Sequence, residues 1–224
     1  MTLLSFFRNN PTLFKRLAIS FAAALLLAAV FAVLATDVHK GDTLAFDQAV
    51  LRAINERSSD GLNTLFLIVT ELGGVIAVTL LATAIFGYLV YRRKKYAAAL
   101  IAVGVGGAAL INYLAKITFE RARPELWPQI ITETTFSFPS GHAAGSSALA
   151  VCIIVLLWRT KWRIPALVIA PLYIMLVGFS RMYLGVHYLT DVVAGWIVGI
   201  TWVLVVASIF YARTNRKRPE KTLV

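Results

Sequence analysis

Cysteine is all but missing from this chain of 224 residues: Cys152 is the single one, set inside an apolar run. That excludes a disulfide framework and a cysteine metal centre, and it reads Cys152 as small apolar filler. Charge is scarce too. Only 15% of the residues are Asp, Glu, Lys or Arg, where a soluble domain carries about a quarter. Acidic residues number 11 against 22 basic ones, and no cluster of carboxylates offers a two-metal site. No internal repeat or low-complexity segment stands out.

What the chain has in abundance is apolar length. Hydrophobic residues make up 59% and the mean hydropathy is +0.76. Long apolar runs recur, which defines a multi-span membrane protein with no room for a separate soluble domain. We expect an all-α polytopic fold, one integral-membrane domain over residues 1–224. Its six transmembrane helices should lie near 17–35, 65–91, 96–115, 140–158, 164–180 and 188–211. Helices are expected because lipid-facing backbone groups must all be paired, and these runs are too long for barrel strands. The apolar run after Arg8, Lys15 and Arg16 is long and is followed by further spans, so it reads as a retained first span and not a cleaved leader.

The basic residues sort by side. One side collects Arg8, Lys15 and Arg16, then Arg92 to Lys95, then Arg159, Lys161 and Arg163. The tail adds Arg213, Arg216, Lys217, Arg218 and Lys221. By the positive-inside rule this side and both termini are cytoplasmic. The net charge of +11 therefore reports orientation, not a nucleic-acid partner. The opposite loops, 36–64, 116–139 and 181–187, hold Asp37, Asp42, Asp47, Glu56, Asp60, Glu120, Glu125 and Glu133. They also hold Lys40, Arg52, Arg57, Lys116, Arg121, Arg123 and Arg181. Bases on the side that topology disfavours are candidates for function. In the first of these loops Phe46, Val50, Leu51 and Ile54 recur at helical spacing, predicting a short amphipathic interfacial helix that is either a lid or a surface anchor. His39 reads as a solvated loop residue. Glu71, early in the second span, either snorkels outward or lines the interior.

Three polar segments then fall at span ends on that outer side: KITFERARP (116–124), FPSGHAAG (138–145) and SRMYLGVHYLTD (180–191). His187 and Asp191 are four apart, so a carboxylate can fix the imidazole tautomer and leave the other ring nitrogen as acceptor or nucleophile. A polar helix cap is the plainer alternative. Ser140 suits an N-cap, Gly141 permits close backbone approach, and a helix start is a ready anion site. Capping alone explains Ser140 but not His142. Lys116, Arg123 and Arg181 add cations suited to an oxyanion of charge about −2. Scattered bases that hold lipid headgroups are the competing reading of any one of them.

Taken together, Lys116–Arg123–Pro124, Pro139–Ser140–Gly141–His142, and Ser180–Arg181 with His187 and Asp191 resemble the signature of the type 2 phosphatidic acid phosphatase family, including its bacterial membrane members. No signature position departs from it, and the signature region spans 116–191. The resemblance implies a hydrolase for a membrane lipid phosphate, such as phosphatidylglycerophosphate, phosphatidate or undecaprenyl diphosphate, working without metal or other cofactor. It implies His187 as nucleophile and Asp191 as its orienter. Lys116, Arg123, Ser140, Gly141 and Arg181 would hold the phosphoryl group, and His142 would be the acid and then the base. Residues 104–109, Gly195 and Gly199 allow close helix packing, which would also shape a lateral lipid entrance. Vanadium haloperoxidases share such a pocket, but they are soluble. An anion or lipid transporter, or a flippase-like protein, would need charges deep in several spans, and only Glu71 and Asp191 are so placed.

Overall fold

The structure, a computed structural model, describes residues 11–216. Among them eight helices follow one another and no strand occurs. They are α1 (Pro11–Lys40), α2 (Leu44–Asn55), α3 (Asp60–Leu72), α4 (Val75–Tyr91), α5 (Lys95–Phe119), α6 (Gly141–Leu157), α7 (Arg163–Tyr183) and α8 (Leu189–Arg216). Five apolar stretches are long enough to cross a membrane: Leu17–Lys40, Asp60–Tyr91, Lys95–Phe119, Arg163–Tyr183 and Leu189–Arg213. The remaining expected span, the fourth (140–158), is α6, which is apolar but has only 17 residues. At 1.5 Å per residue it is about 26 Å long, a little short of a ~30 Å hydrocarbon core. Its position removes the problem, because α6 packs against α8, α7 and α5 instead of facing lipid along its length. Ala143, Ala144, Ser146, Ser147, Ala148, Leu149, Ala150 and Cys152 of α6 are all buried.

The outer surface of this bundle is apolar. Ile19, Leu25, Leu26, Leu80, Ile169 and Leu172 are each more than half exposed, a distribution that only a lipid solvent tolerates over many turns. The chain is a membrane protein. Small residues bring the central helices together. A β-carbon at Gly195 would meet the Ser140 carbonyl and Ala143, and one at Gly199 would meet Ser147 and the Ala144 carbonyl. Gly104 and Gly107 likewise face Cys152 and Trp202. The expectation of close packing at 104–109, Gly195 and Gly199 holds, except that Gly106 faces open space.

Several boundaries differ from expectation. Helix α1 runs on to Lys40, so Asp37, His39 and Lys40 ride on it and are not in a loop. The second span starts at Asp60 and is interrupted at Gly73–Gly74, dividing α3 from α4. Val177 of α7 occupies the space a β-carbon at Gly73 would need, so this glycine lets α7 come close at the price of one turn's regularity. His187 lies in the turn before α8, not on the helix. Of the predicted basic clusters, Arg8, Lys217, Arg218 and Lys221 lie outside the described residues.

Helix α2 is amphipathic as expected, but its buried face differs. Leu51 is fully buried and packs with Met182, Tyr188 and Val192, while Phe46 is exposed. Its other buried residue is a carboxylate, Asp47, one turn before Leu51.

Candidate active site

Five helix ends and one loop meet above α6. The chain leaves α5 through Glu120 in the left-handed conformation (φ 46°) and runs as irregular loop to Pro139. Hydrogen bonds from Ser137 to the Arg121 and Ala122 carbonyls (2.9 and 3.0 Å) fold this loop back on itself. Asn112 donates to the Pro139 carbonyl (3.2 Å), and the Ser140 N–H donates to the Asp191 carbonyl (2.9 Å). The start of α6 is thus fastened to α5 and to α8.

His187, 1% exposed, lies buried at this junction. Its Nε2 is 3.2 Å from Arg123 Nη1 and its Nδ1 is 3.4 Å from Asp191 Oδ2. Guanidinium can only donate, so Nε2 accepts and the ring proton sits on Nδ1, facing the carboxylate. Burial and the charges of Arg123, Arg181, Lys116 and His142 push the His187 ring well below the usual histidine range. It is therefore neutral, with the Nε2 lone pair directed at the cations. Asp191 is fully buried, and its Oδ2 also accepts from the Tyr188 N–H (2.9 Å).

Three cations, Arg123, Arg181 and Lys116, act electrostatically on that ring, with Arg123 in contact with it. Arg123 donates to the Thr135 carbonyl (2.7 Å), the Val186 carbonyl (2.8 Å) and the Thr135 hydroxyl (3.1 Å). Arg181, 1% exposed, donates from Nη1 to Thr70 Oγ1 (2.7 Å) and from Nη2 to Glu133. Its Nε is buried with no protein acceptor among the described residues. Lys116 donates to the Phe136 carbonyl. Glu133 also lies 3.6 Å from Arg123 Nη2, so one carboxylate stands between two guanidinium groups. Burial alone would raise its pKa, but Arg181 and Arg123 outweigh that and hold Glu133 below the usual carboxylate range. A cleft of about 420 Å³ opens beside them, lined by Tyr113, Lys116, Arg121, Arg123, Glu133 and Phe136. A larger groove of about 500 Å³ between α4, α6 and α7 is lined almost wholly by apolar side chains. Charge chemistry belongs to the cleft.

Each residue expected from sequence has a definite place. Lys116, Arg123, Arg181, His187 and Asp191 converge. His142, in the first turn of α6, lies within electrostatic reach of Arg181, Glu133, Arg123 and Lys116. Ser140 is fully buried, and its hydroxyl accepts from the Ala143 N–H at 3.5 Å as an N-cap. The Gly141 N–H belongs to the helix start, where donors have no intrahelical partner. A β-carbon there would lie 3.4 Å from Asn112 Oδ1, so the backbone is tightly held. Glu71 is exposed; its carboxylate and His142 Nε2 each come within 3.7 Å of the space beside Gly74. Among the described residues, no group of three His, Cys, Asp or Glu is placed to hold a metal ion.

Sequence reasoning missed three participants. Arg121 bonds Asp191 Oδ1 (2.5 Å) and Asp47 Oδ2 (2.8 Å), and Glu133 spans two arginines. Burial alone would weaken the Arg121 charge, but the two aspartates outweigh it and make the group still more basic. Leaving either aspartate without this partner would strand a buried charge, at a cost of about 3–5 kcal/mol. One signal existed: Asp47 falls in register with the apolar stripe of α2, where a carboxylate is out of place without a partner.

A helical membrane bundle with such a pocket has known counterparts. Residues 95–215 match the family model of the PAP2 superfamily, and the chain belongs to that superfamily. Phosphatidylglycerophosphatase B of Bacillus subtilis (strain 168) is 31% identical over 175 residues, covering 76% of this chain and 86% of that one. An undecaprenyl-diphosphatase of Sulfolobus acidocaldarius is 27% identical over 184 residues, covering 80% and 85%. The crystal structure of a transmembrane PAP2 type phosphatidylglycerolphosphate phosphatase from Bacillus subtilis superposes with a TM-score of 0.78 at 28% identity, covering 88% of this chain and 98% of that one.

Proposed function

We propose that this enzyme hydrolyses a membrane lipid phosphate through a phosphohistidine on His187, on the outer side of a cell membrane, with its termini in the cytoplasm. The observation that carries the reading is the His187 ring, with Nδ1 on Asp191 and Nε2 beside Arg123. In the first step the Nε2 lone pair forms a bond to phosphorus and the bond from phosphorus to the lipid oxygen breaks. His142 gives its proton to the departing oxygen, and Asp191 stabilises the positive charge that develops on the His187 ring. In the second step His142 takes a proton from water, the hydroxide attacks phosphorus, and the P–N bond breaks to release phosphate. Lys116, Arg123, Arg181 and the Gly141 N–H neutralise the equatorial oxygens, and such positioning and charge stabilisation are most of what phosphoryl transfer requires. The otherwise unpaired Arg181 Nε supports an anion there.

Because three side-chain cations supply the charge, the purified enzyme should release phosphate from detergent-solubilised lipid at an unchanged rate in excess EDTA. Loss of turnover on chelation, with recovery on adding a divalent ion, would overturn the reading. The panel is phosphatidylglycerophosphate and undecaprenyl diphosphate, which the matched relatives' names carry, together with phosphatidate.

The role of His142 makes a second prediction. A lipid alcohol is a poor leaving group and needs a proton, whereas a lipid phosphate leaves more readily. His142→Ala should therefore damage monoester cleavage more than diphosphate cleavage, by roughly 10²-fold or more on the monoester, the usual worth of a general acid. Equal losses in kcat on phosphatidate and undecaprenyl diphosphate would remove His142 from that role.

A further inference from the structure

Phosphate chemistry does not account for Arg121, whose donors are committed elsewhere. Nη2 bonds Asp47 Oδ2 at 2.8 Å, and Nη1 bonds Asp191 Oδ1 at 2.5 Å and Thr190 Oγ1 at 2.8 Å. The guanidinium also lies over the Tyr188 ring, 4.2 Å from its centroid. Asp47 in turn accepts from the Thr190 N–H (3.1 Å) and hydroxyl (2.6 Å). Both aspartates are fully buried. The consequence falls on Asp191. One of its oxygens is held by Arg121 and the other by the Tyr188 N–H and His187 Nδ1, so the carboxylate cannot turn.

We propose that Arg121 and Asp47 are positioning residues of the phosphatase reaction: Asp47 holds Arg121, Arg121 holds Asp191, and Asp191 sets the His187 ring in the attitude from which Nε2 reaches phosphorus. The proposal rests on His187 being the nucleophile. It gives the first outer loop a function that is neither lid nor anchor. Helix α2 inserts one carboxylate beneath the 187–191 turn, and Leu51, one turn further on, seats the helix against Met182, Tyr188 and Val192. An ion pair serving the fold alone needs only Asp47 and Arg121. Here the same guanidinium reaches the second oxygen of the very carboxylate that orients the nucleophile. A lysine would keep the charge but, with a single nitrogen, could not span both carboxylates in this fork geometry.

The test uses the full chain purified in detergent, with a soluble short-chain phosphatidate as substrate and chromatographic monodispersity as the folding control. Arg121→Ala should lower kcat by about 100-fold, the effect of a small misplacement of the reacting group, with KM within about twofold of wild type. Guanidinium ions at millimolar concentration should restore part of that kcat, and Arg121→Lys should lie between. Asp47→Asn should lower kcat by about tenfold alone and add nothing in the Arg121→Ala background, since both act through one contact. If Arg121→Ala aggregates, Arg121→Lys and Asp47→Asn carry the test. Full kcat in folded Asp47→Asn and Arg121→Lys, effects that multiply, or a rise in KM alone would overturn the proposal. His187→Ala in the same assay separates the two levels. If it is inactive while the Arg121 and Asp47 variants keep full kcat, only the relay falls; if it still turns over, the nucleophile assignment falls and the relay with it.

Discussion

His187→Ala is expected to abolish phosphate release, with a loss of at least about 10⁴-fold in kcat, as when the nucleophile of a covalent mechanism is removed. The same variant should still bind lipid, because Lys116, Arg123 and Arg181 are untouched. The effect should therefore sit in kcat, with KM nearly unchanged. Wild-type enzyme incubated with substrate labelled in the phosphate and denatured in alkaline detergent should carry label that survives base and is released by acid, and the variant none. The pH profile adds an independent check. The free ring must be neutral to attack, and burial among cations holds it neutral well below the ordinary histidine range. Protonation of the free enzyme is then suppressed, and the acid limb of kcat/KM from this group should fall well below pH 6.5. A folded His187→Ala enzyme retaining more than a few per cent of kcat without label would mean that water attacks phosphorus directly, and label retained without the ring would put the covalent phosphate on another residue.

The span pattern and the three polar segments were legible because each leaves a local mark: a long apolar run, or ionisable residues at its end. The convergence of Lys116, Arg123, Arg181, His187 and Asp191 follows from those marks, since alternating spans return every second loop to the same end. What stayed illegible was pairing. Nothing local distinguishes Arg121 from Arg123, two residues apart, yet one holds Asp47 and Asp191 while the other faces His187 Nε2. Glu133 looked like one more outer-loop acid until the irregular 120–140 loop folded back and brought it between Arg123 and Arg181. The break at Gly73–Gly74 was hidden for a different reason: two glycines in an apolar run are compatible with an unbroken helix, and only the approach of Val177 forces the interruption. The short α6 was read at full span length because hydropathy does not register where a helix lies in a bundle.

Glu133 and Arg181 make an opposed pair of expectations. Arg181 is buried, fixed at Nη1 by Thr70 and bonded at Nη2 to Glu133, and its Nε has no protein acceptor among the described residues. Arg181→Ala should lower kcat/KM by about 10³-fold, the lower end of what an arginine contributes to a phosphoryl transition state. Arg181→Lys should recover only part, since an ammonium cannot hold Thr70 and a phosphoryl oxygen at once. Glu133 acts in the other direction. In the free enzyme its carboxylate occupies donors of Arg181 and Arg123, the two guanidinium groups proposed to hold the phosphoryl group, so a phosphate bound there would displace it or share them. Glu133→Gln removes that competitor while the Thr70 contact keeps Arg181 in place. KM for a lipid monoester should fall severalfold, and orthovanadate should inhibit at correspondingly lower concentration. The side chain is partly exposed, so solvent screens the interaction and the gain stays modest. An unchanged KM together with a fall in kcat would instead make Glu133 a support for Arg181. A rise in KM would mean that the carboxylate touches a positive or hydroxyl group of the lipid headgroup.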